Sequence, residues 1–290
     1  MERARSSRGV EQASSEDRLA ATLRTLDEGI SAILDSASFA QYLSVMSRFH
    51  QCSFGNVMLI LAQQPDATRV AGYRRWQQLG RQVKKGEQGI RILVPHKRVV
   101  ELEEDEETTI VRSFGVGSVF DISQTDGEPL SEAPAVQEIR ASTDSGASLY
   151  GALETYVTSQ GLTVVREELS RENGYYAPLR KQIGIDNRLA GDQATKTLAH
   201  ETAHFVADHR SGVARADAET VAESAAYVVL QHYGIDSRGY TFAYVARWAE
   251  DREVLKRNLA AIQQTSHAII TGIEEHEGCE PREVNPHQPA

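Results

Sequence analysis

Thr197-Leu198-Ala199-His200-Glu201-Thr202-Ala203-His204-Phe205-Val206 holds an H-E-x-x-H sequence inside an apolar, alanine-rich run. The run reads as a helix. His200 and His204 are four apart, so on a helix they stand one above the other on a single face. Two imidazoles so placed close on one metal ion, and Glu201, beside the first, reaches the water such an ion carries. A five-residue match also arises by chance. The setting argues otherwise, because small Ala199 and Ala203 and apolar Leu198, Phe205 and Val206 bury the helix in a core.

A hydrolytic site needs three protein ligands and one open position. Downstream, Ala218-Glu219-Thr220-Val221-Ala222-Glu223-Ser224-Ala225-Ala226-Tyr227 places Glu219 and Glu223 four apart on one face of a second helix. Two carboxylates among alanines and valines are costly unless something positive meets them. An ion and the ring proton of a ligating histidine would do so, one carboxylate on the ion and one orienting an imidazole. Glu219 is favoured as the third ligand because the order resembles the gluzincin pattern, and the reverse assignment stays open. The competing reading makes both ordinary exposed helix acids. Asp208 and His209, a turn beyond the motif, read as solvent-facing.

Composition excludes several classes. With 290 residues, 40% apolar and 25% charged, the chain suits a globular protein of two modest domains. It has no run of 18 apolar residues, so no membrane partner is expected. Met1 to Asp17 lacks the apolar core of a signal peptide, and Cys52 and Cys279 form neither a disulfide framework nor a cysteine metal cluster. Both features point to the cytoplasm. A net charge of −10 argues against a globally nucleic-acid-binding protein, yet Arg69 to Arg98 carries nine basic residues and one acid, +8 against −18 elsewhere.

The expected fold class is α+β. An N-terminal α+β domain (17–125) is joined by a linker (126–148) to a mostly helical, zincin-like domain (149–276) with a small antiparallel sheet. Polar tails, 1–16 and 277–290, flank them. Helices are expected from Glu16, from Ser38, over Asn56 to Gln64 and over Tyr73 to Leu79. Gln82 to Pro95 reads as two strands around a Lys-Gly-Glu-Gln-Gly turn, and Arg98 to Val111 as a hairpin with an acidic tip. Beyond the linker come a helix at Leu149, three short strands, the motif helix from Gly191, and helices over Ala216 to His232, Tyr240 to Trp248 and Glu253 to Glu275. The strand at Ile183-Gly184-Ile185 reads as an exposed edge for an extended peptide. Tyr175, Tyr176 and Tyr227 are alternatives for stabilising an oxyanion.

In the basic window aromatic rings are interleaved. Phe54, Tyr73 and Trp76 lie near Arg69, Arg74, Arg75, Lys84 and Lys85, with Asn56 as a polar reader. Single strands are bound by stacking bases on such rings while cations follow the backbone. On the residues alone, a core role for Tyr73 and Trp76 with the cations as a solvated face reads at least as well.

Three blocks then carry a resemblance: Ser53-Phe54-Gly55-Asn56-Val57-Met58-Leu59-Ile60, Ala67-Thr68-Arg69-Val70-Ala71-Gly72-Tyr73-Arg74-Arg75-Trp76, and Gly80-Arg81-Gln82-Val83-Lys84-Lys85-Gly86-Glu87-Gln88-Gly89-Ile90. Their order resembles the N-terminal domain of ArdC-type antirestriction proteins. The His200 motif, Glu219-x-x-x-Glu223 and Tyr244-x-x-x-Trp248 follow in that family's order, and the C-terminal half is also similar to ImmA/IrrE metallopeptidases. The resemblance spans roughly residues 17–275. It implies a single-stranded-DNA-binding domain, with Asn56, Trp76, Lys84, Lys85 and Arg91 as contacts, followed by a metallopeptidase-like fold. It departs at Cys52, where the family often has tyrosine, and between Arg98 and Ile110.

The reading that joins both halves is an antirestriction protein of mobile DNA that binds single-stranded DNA. It would carry a metal-dependent peptidase-like site with Zn2+ or another divalent ion such as Mn2+, and act on a protein or peptide. Two alternatives differ in class: a non-catalytic protein that protects DNA by occupancy, and an ImmA/IrrE-like regulatory protease that cleaves a repressor.

Overall fold

The computed structural model describes residues 17–29, 36–101, 107–130, 144–189, 191–208, 214–235 and 252–276. It is a mixed α+β structure in two units, one made of residues 1–32, 55–129 and 284–290, the other of 33–54 and 130–283. The division does not follow a single boundary near residue 125, because residues 33–54 pack with the C-terminal half. The expected helix at Tyr240 to Trp248, the tip of the acidic hairpin and both polar tails lie outside the described residues.

In the first unit, helix α1 (17–29) precedes α3 (Phe54–Gln63), whose Asn56, Val57, Met58, Leu59 and Ile60 are buried. The segment between them contains α2 (Ser36–Arg48), which belongs to the other unit. Then follow β1 (Val70–Ala71), α4 (Tyr73–Gln78), β2 (Arg81–Val83), β3 (Ile90–Glu101), β4 (Glu107–Asp121) and β5 (Thr125–Gly127). β3 and β4 form a long antiparallel hairpin from Ile90↔Val119 to Glu101↔Glu107, with a register shift at His96/Lys97, and β1 lies on the other side of β4. The strands expected to pair around the Lys84 turn do not pair. β2 pairs instead with β5, which draws Asp126 and Gly127, the start of the expected linker, into the folded unit. Arg81 fixes this ribbon: its Nε donates to Thr125 Oγ1 at 2.8 Å and its Nη1 to Gly127 O at 2.8 Å.

The outer edge of β3 is closed by amide side chains. Asn56 Nδ2 donates to Leu93 O at 3.0 Å and its Oδ1 accepts from Leu93 N at 2.8 Å. One strand pleat away, Gln63 Nε2 donates to Arg91 O at 2.9 Å and its Oε1 accepts from Arg91 N at 2.9 Å. Each amide imitates a neighbouring strand and satisfies backbone groups that an edge leaves open.

Asp121 turns the chain from β4 into the next loop. Its Oδ1 accepts from Thr68 N at 2.7 Å and Arg69 N at 3.0 Å, its Oδ2 accepts from Ser123 N at 2.9 Å, and its own N–H donates to Gln124 Oε1 at 2.9 Å. Burial pushes this carboxyl up, and the hydrogen bonds from Ser123, Thr68 and Arg69 outweigh it, leaving Asp121 below the ordinary carboxylate range.

In the second unit the order is α2, α5 (Ser145–Ser159), β6 (Thr163–Glu167), β7 (Gly174–Ala177), β8 (Gln182–Asp186), α6 (Gly191–Val206), α7 (Arg215–His232) and α8 (Arg252–His276). From Thr220 to Leu230 every residue of α7 is buried, so this helix is wrapped on all sides. α2, α6 and α8 pack against it, with Phe39, Tyr42, Leu43 and Met46 forming the buried stripe of α2.

Two sequence expectations are corrected here. The sheet is mixed rather than antiparallel, because β8 runs parallel to β6 and antiparallel to β7. The order β6-β8-β7 also puts Ile183-Gly184-Ile185 in the central strand, where Ile183 and Ile185 are fully buried, so this segment is not an exposed edge. The chain reaches the far edge at β7 and only then returns through the middle, and β6 and β7 are the edges.

Replacing Asp121 by alanine leaves three backbone N–H groups without their acceptor. Urea unfolding is expected to show a loss of about 2–4 kcal/mol, as unsatisfied donors cost roughly 1–3 kcal/mol each and water replaces part of it. Because the folded carboxyl lies below its unfolded value of about 3.9, its charge stabilises the fold at neutral pH, and the contribution fades as pH falls through the folded value. The stability gap between wild type and Asp121→Asn should therefore narrow below about pH 4.

Candidate metal centre and nucleic-acid interface

α6 begins at Gly191, carries Asp192 in its first turn, and stops where Asp208 turns left-handed with φ 51°. Its buried side is Ala194, Leu198, Ala199, Thr202 and Ala203. Beside that side runs a column with a four-residue step, Lys196, His200 and His204. α7 presents Glu219 and Glu223 with the same step, and the two columns meet in opposite sense. Lys196 Nζ lies 2.7 Å from Glu223 Oε1, and His200 Nδ1 lies 3.1 Å from Glu223 Oε2. His200 Nε2 lies 3.5 Å, and His204 Nε2 4.0 Å, from Glu219 Oε2.

The three atoms His200 Nε2, His204 Nε2 and Glu219 Oε2 face one point, the two nitrogens being 3.1 Å apart. Two imidazole nitrogens and one carboxylate oxygen are a donor set that suits Zn2+ and other divalent transition ions. The residues therefore fit a metal, with Glu219 placed on its side of the imidazoles. Glu223 takes the opposite nitrogen of His200, the position from which a carboxylate sets the tautomer and orientation of a ligating ring. Burial lowers the His200 imidazole, but the hydrogen bonds its ring donates to Glu219 and Glu223 and the charge of Glu201 outweigh it and hold it up at about 9.

Glu201 turns off this column toward β7. It is buried, and the backbone N–H of Tyr176 donates to it. Burial raises its carboxyl to about 7, helped by the charges of Glu219 and Glu172 and opposed by His200. β7 comes this close to α6 because Gly174 has no side chain: a Cβ there would sit 2.6 Å from Thr197 Cγ2 and 2.9 Å from Gly184 O. Tyr175 hydrogen-bonds to Glu167 and Gln182, and Tyr227 is buried within α7. His209 lies outside the described residues.

The expected DNA contacts separate into two groups. Asn56 and Trp76 are each 1% exposed, Asn56 bonded to the Leu93 backbone and Trp76 donating from Nε1 to Phe120 O at 2.8 Å. These two serve the core of the first unit and present no free edge or ring face. Phe54 and Arg69 are half-buried, and Arg75 sits against Gln78. Arg74, Lys84, Lys85 and Arg91 are exposed. Tyr73 is 45% exposed and stands edge-on to Phe120, with ring centroids 6.4 Å apart. Tyr73, Phe120, Lys84 and Lys85 line a surface pocket of about 570 Å³.

One exposed ring had no place in the sequence reading. Phe114, 52% exposed, lies on β4 opposite Pro95. The two-residue alternation puts Phe114, Val116, Ser118 and Phe120 on one face of β4, paired with Pro95, Leu93 and Arg91 of β3. The other face holds buried Ile90, Ile92 and Val119. The signal was present in Phe114 to Phe120, but only the register decides which face meets the core.

Residues 17–120 match the family model for the N-terminal domain of anti-restriction factor ArdC. This first part of the chain is therefore similar to the ArdC N-terminal domain. The chain is also similar in structure to the Mn(II)-bound antirestriction ArdC protein from the R388 plasmid, with 19% identity and a TM-score of 0.52 over 88% of this chain and 97% of that one. That likeness is one of fold. The metal-free structure of the same plasmid protein aligns with 21% identity and a TM-score of 0.48, over 81% of this chain and 86% of that one. An uncharacterized protein of Bacillus anthracis is 23% identical over 277 residues, which cover 79% of this chain and 46% of that protein. The chain thus spans about half the length of that relative. Among the described residues no helix is long and apolar enough to cross a membrane.

The geometry divides the two carboxylates, and calorimetric titration with Zn2+ separates their effects. Glu219→Ala should remove most of the affinity, whereas Glu223→Gln, which keeps the shape and loses the charge behind His200, should weaken it by roughly 10–100-fold. Equal losses would contradict the division.

Proposed function

We propose that this chain is an ArdC-like antirestriction protein that binds single-stranded DNA through its N-terminal domain and carries a metal-dependent, peptidase-like site in its C-terminal unit. The observation that supports it most is the paired column, His200 and His204 on α6 facing Glu219 on α7, in a chain whose residues 17–120 match the family model for the ArdC N-terminal domain. His200, His204 and Glu219 are the residues that would hold Zn2+ or Mn2+. Such an ion, when bound, polarises a carbonyl and acidifies water. Mn(II) is the ion named for the R388 protein.

The protein's own groups supply the rest. Glu201 sits beside the imidazoles with its carboxyl raised to about 7, which suits it to take up and return a proton near neutral pH. Glu223 and Lys196 hold His200 in place. β7, an edge strand next to the motif helix, offers main-chain groups along which an extended peptide can lie. On the first unit, Tyr73, Phe114 and Phe120 offer ring faces, with Arg74, Lys84, Lys85 and Arg91 for phosphates.

Binding to single- and double-stranded oligonucleotides across a salt series tests the DNA half. Single strands should be preferred, and Lys84→Ala/Lys85→Ala should flatten the slope of log affinity against log salt by about 1.4, at roughly 0.7 per phosphate contact. Phe114→Ala removes an exposed ring and should cost roughly 1–3 kcal/mol of single-strand affinity if a base stacks there. Equal affinity for both forms of DNA rejects this half. Antirestriction activity of Glu201→Gln against wild type then tests the catalytic half: loss supports hydrolysis, and full retention assigns protection to DNA occupancy.

A further inference from the structure

Away from the motif helix, His50, His232 and Glu274 come together inside the C-terminal unit, one ligating atom of each lying within 4.8 Å of the others. His50 follows α2, His232 is the last residue of α7, and Glu274 lies in the last turns of α8. Glu219 is thirteen residues before His232 on the same helix, which sets the two clusters roughly 20 Å apart at 1.5 Å per residue.

The cluster is shielded and its rings are oriented. His50 is 5% exposed, and the His232 and Glu274 side chains are 13% and 12% exposed. His232 Nδ1 donates its hydrogen to Ser47 O at 2.8 Å. Its Nε2 is then the nitrogen with the lone pair, and it lies 3.6 Å from Glu274 Oε1. A backbone carbonyl behind one ring nitrogen, with the other aimed at the site, is how proteins fix a metal-binding imidazole. His267 adds a fourth donor at the margin, its Nδ1 3.4 Å from His50 Nδ1 and 3.4 Å from Thr271 Oγ1.

The spacing is that of ligands round one small ion. Bonds of about 2.0–2.1 Å in a tetrahedron place ligand atoms about 3.3–3.4 Å apart, and His232 Nε2 and Glu274 Oε1 are 3.6 Å apart here, with His50 completing a set whose atoms all lie within 4.8 Å of one another. A bare His232–Glu274 ion pair would account for the carboxylate but not for the other imidazoles gathered beside it. Nitrogen donors in this proportion select a transition ion over Ca2+ or Mg2+.

We propose that His50, His232 and Glu274 form a second metal site, distinct from the motif site and closed at its margin by His267, that binds Zn2+ as a structural clasp between the segment after α2 and the ends of α7 and α8. It joins a part of the chain that comes early in sequence to the helices of the C-terminal unit. It has no substrate of its own.

Metal stoichiometry on the full-length protein tests this. Zn2+ titrated into metal-stripped wild type should saturate at two ions per chain, and His200→Ala/His204→Ala should still bind one and melt at higher temperature with it. Adding His232→Gln and Glu274→Gln to that variant should abolish the remaining ion. Saturation of the wild type at one ion that the His200→Ala/His204→Ala variant loses would overturn the second site while leaving the motif site intact. Should the fourfold variant fail to fold, Co2+ absorption of wild type decides: two saturating equivalents support the proposal and one rejects it.

Discussion

A buried carboxylate dictates how the C-terminal unit is assembled. Glu223 sits among the alanines and valines of α7, where an unpaired charge would cost several kcal/mol. Only one arrangement of α6 serves it, the one that brings Lys196 and His200 to its two oxygens. Once those contacts are made, the four-residue step on both helices carries His204 alongside Glu219 without further instruction. Packing and chemistry are thereby tied together. The contacts that make the helix pair tolerable also settle the direction in which His200 faces.

The first unit spends its polar residues in the same manner, on its own backbone. Asn56 and Gln63 complete the hydrogen bonds of β3, Asp121 collects the N–H groups of two loops, and Trp76 gives its indole hydrogen to Phe120. Residues that look like readers of a ligand are thus committed to holding the hairpin in place. What remains for a partner is the outward face of that hairpin and the cations beside it, a surface whose stiffness comes from the amides behind it.

Much of the candidate site was legible because helical spacing is a local property. His200 and His204, and Glu219 and Glu223, each share a face for the same reason, and neither pair needs a fold to be recognised. The partition between the two glutamates is different, since it depends on the direction in which the helices meet. Sheets were harder. The run Ile183-Gly184-Ile185 is equally good as an edge or as a buried centre, and its place was settled by a chain that goes to β7 before returning. Likewise β2 finds its partner beyond the whole hairpin, and Phe114 faces outward through a register that alternation alone leaves open. His50, His232 and Glu274, spread over the length of the chain, have no spacing to announce them.

The interleaving of the chain has a consequence for how its halves can be inherited. The family match to residues 17–120 includes α2, yet Phe39, Tyr42, Leu43 and Met46 are covered by the C-terminal unit, to which α2 belongs. A gene fragment ending after the hairpin would release an oily helix into solvent along with the outward face of that hairpin. Shuffling in evolution, or truncation at the bench, therefore cannot treat the N-terminal domain as a detachable cassette. The last helices would have to travel with it, or the stripe on α2 be rewritten in polar residues.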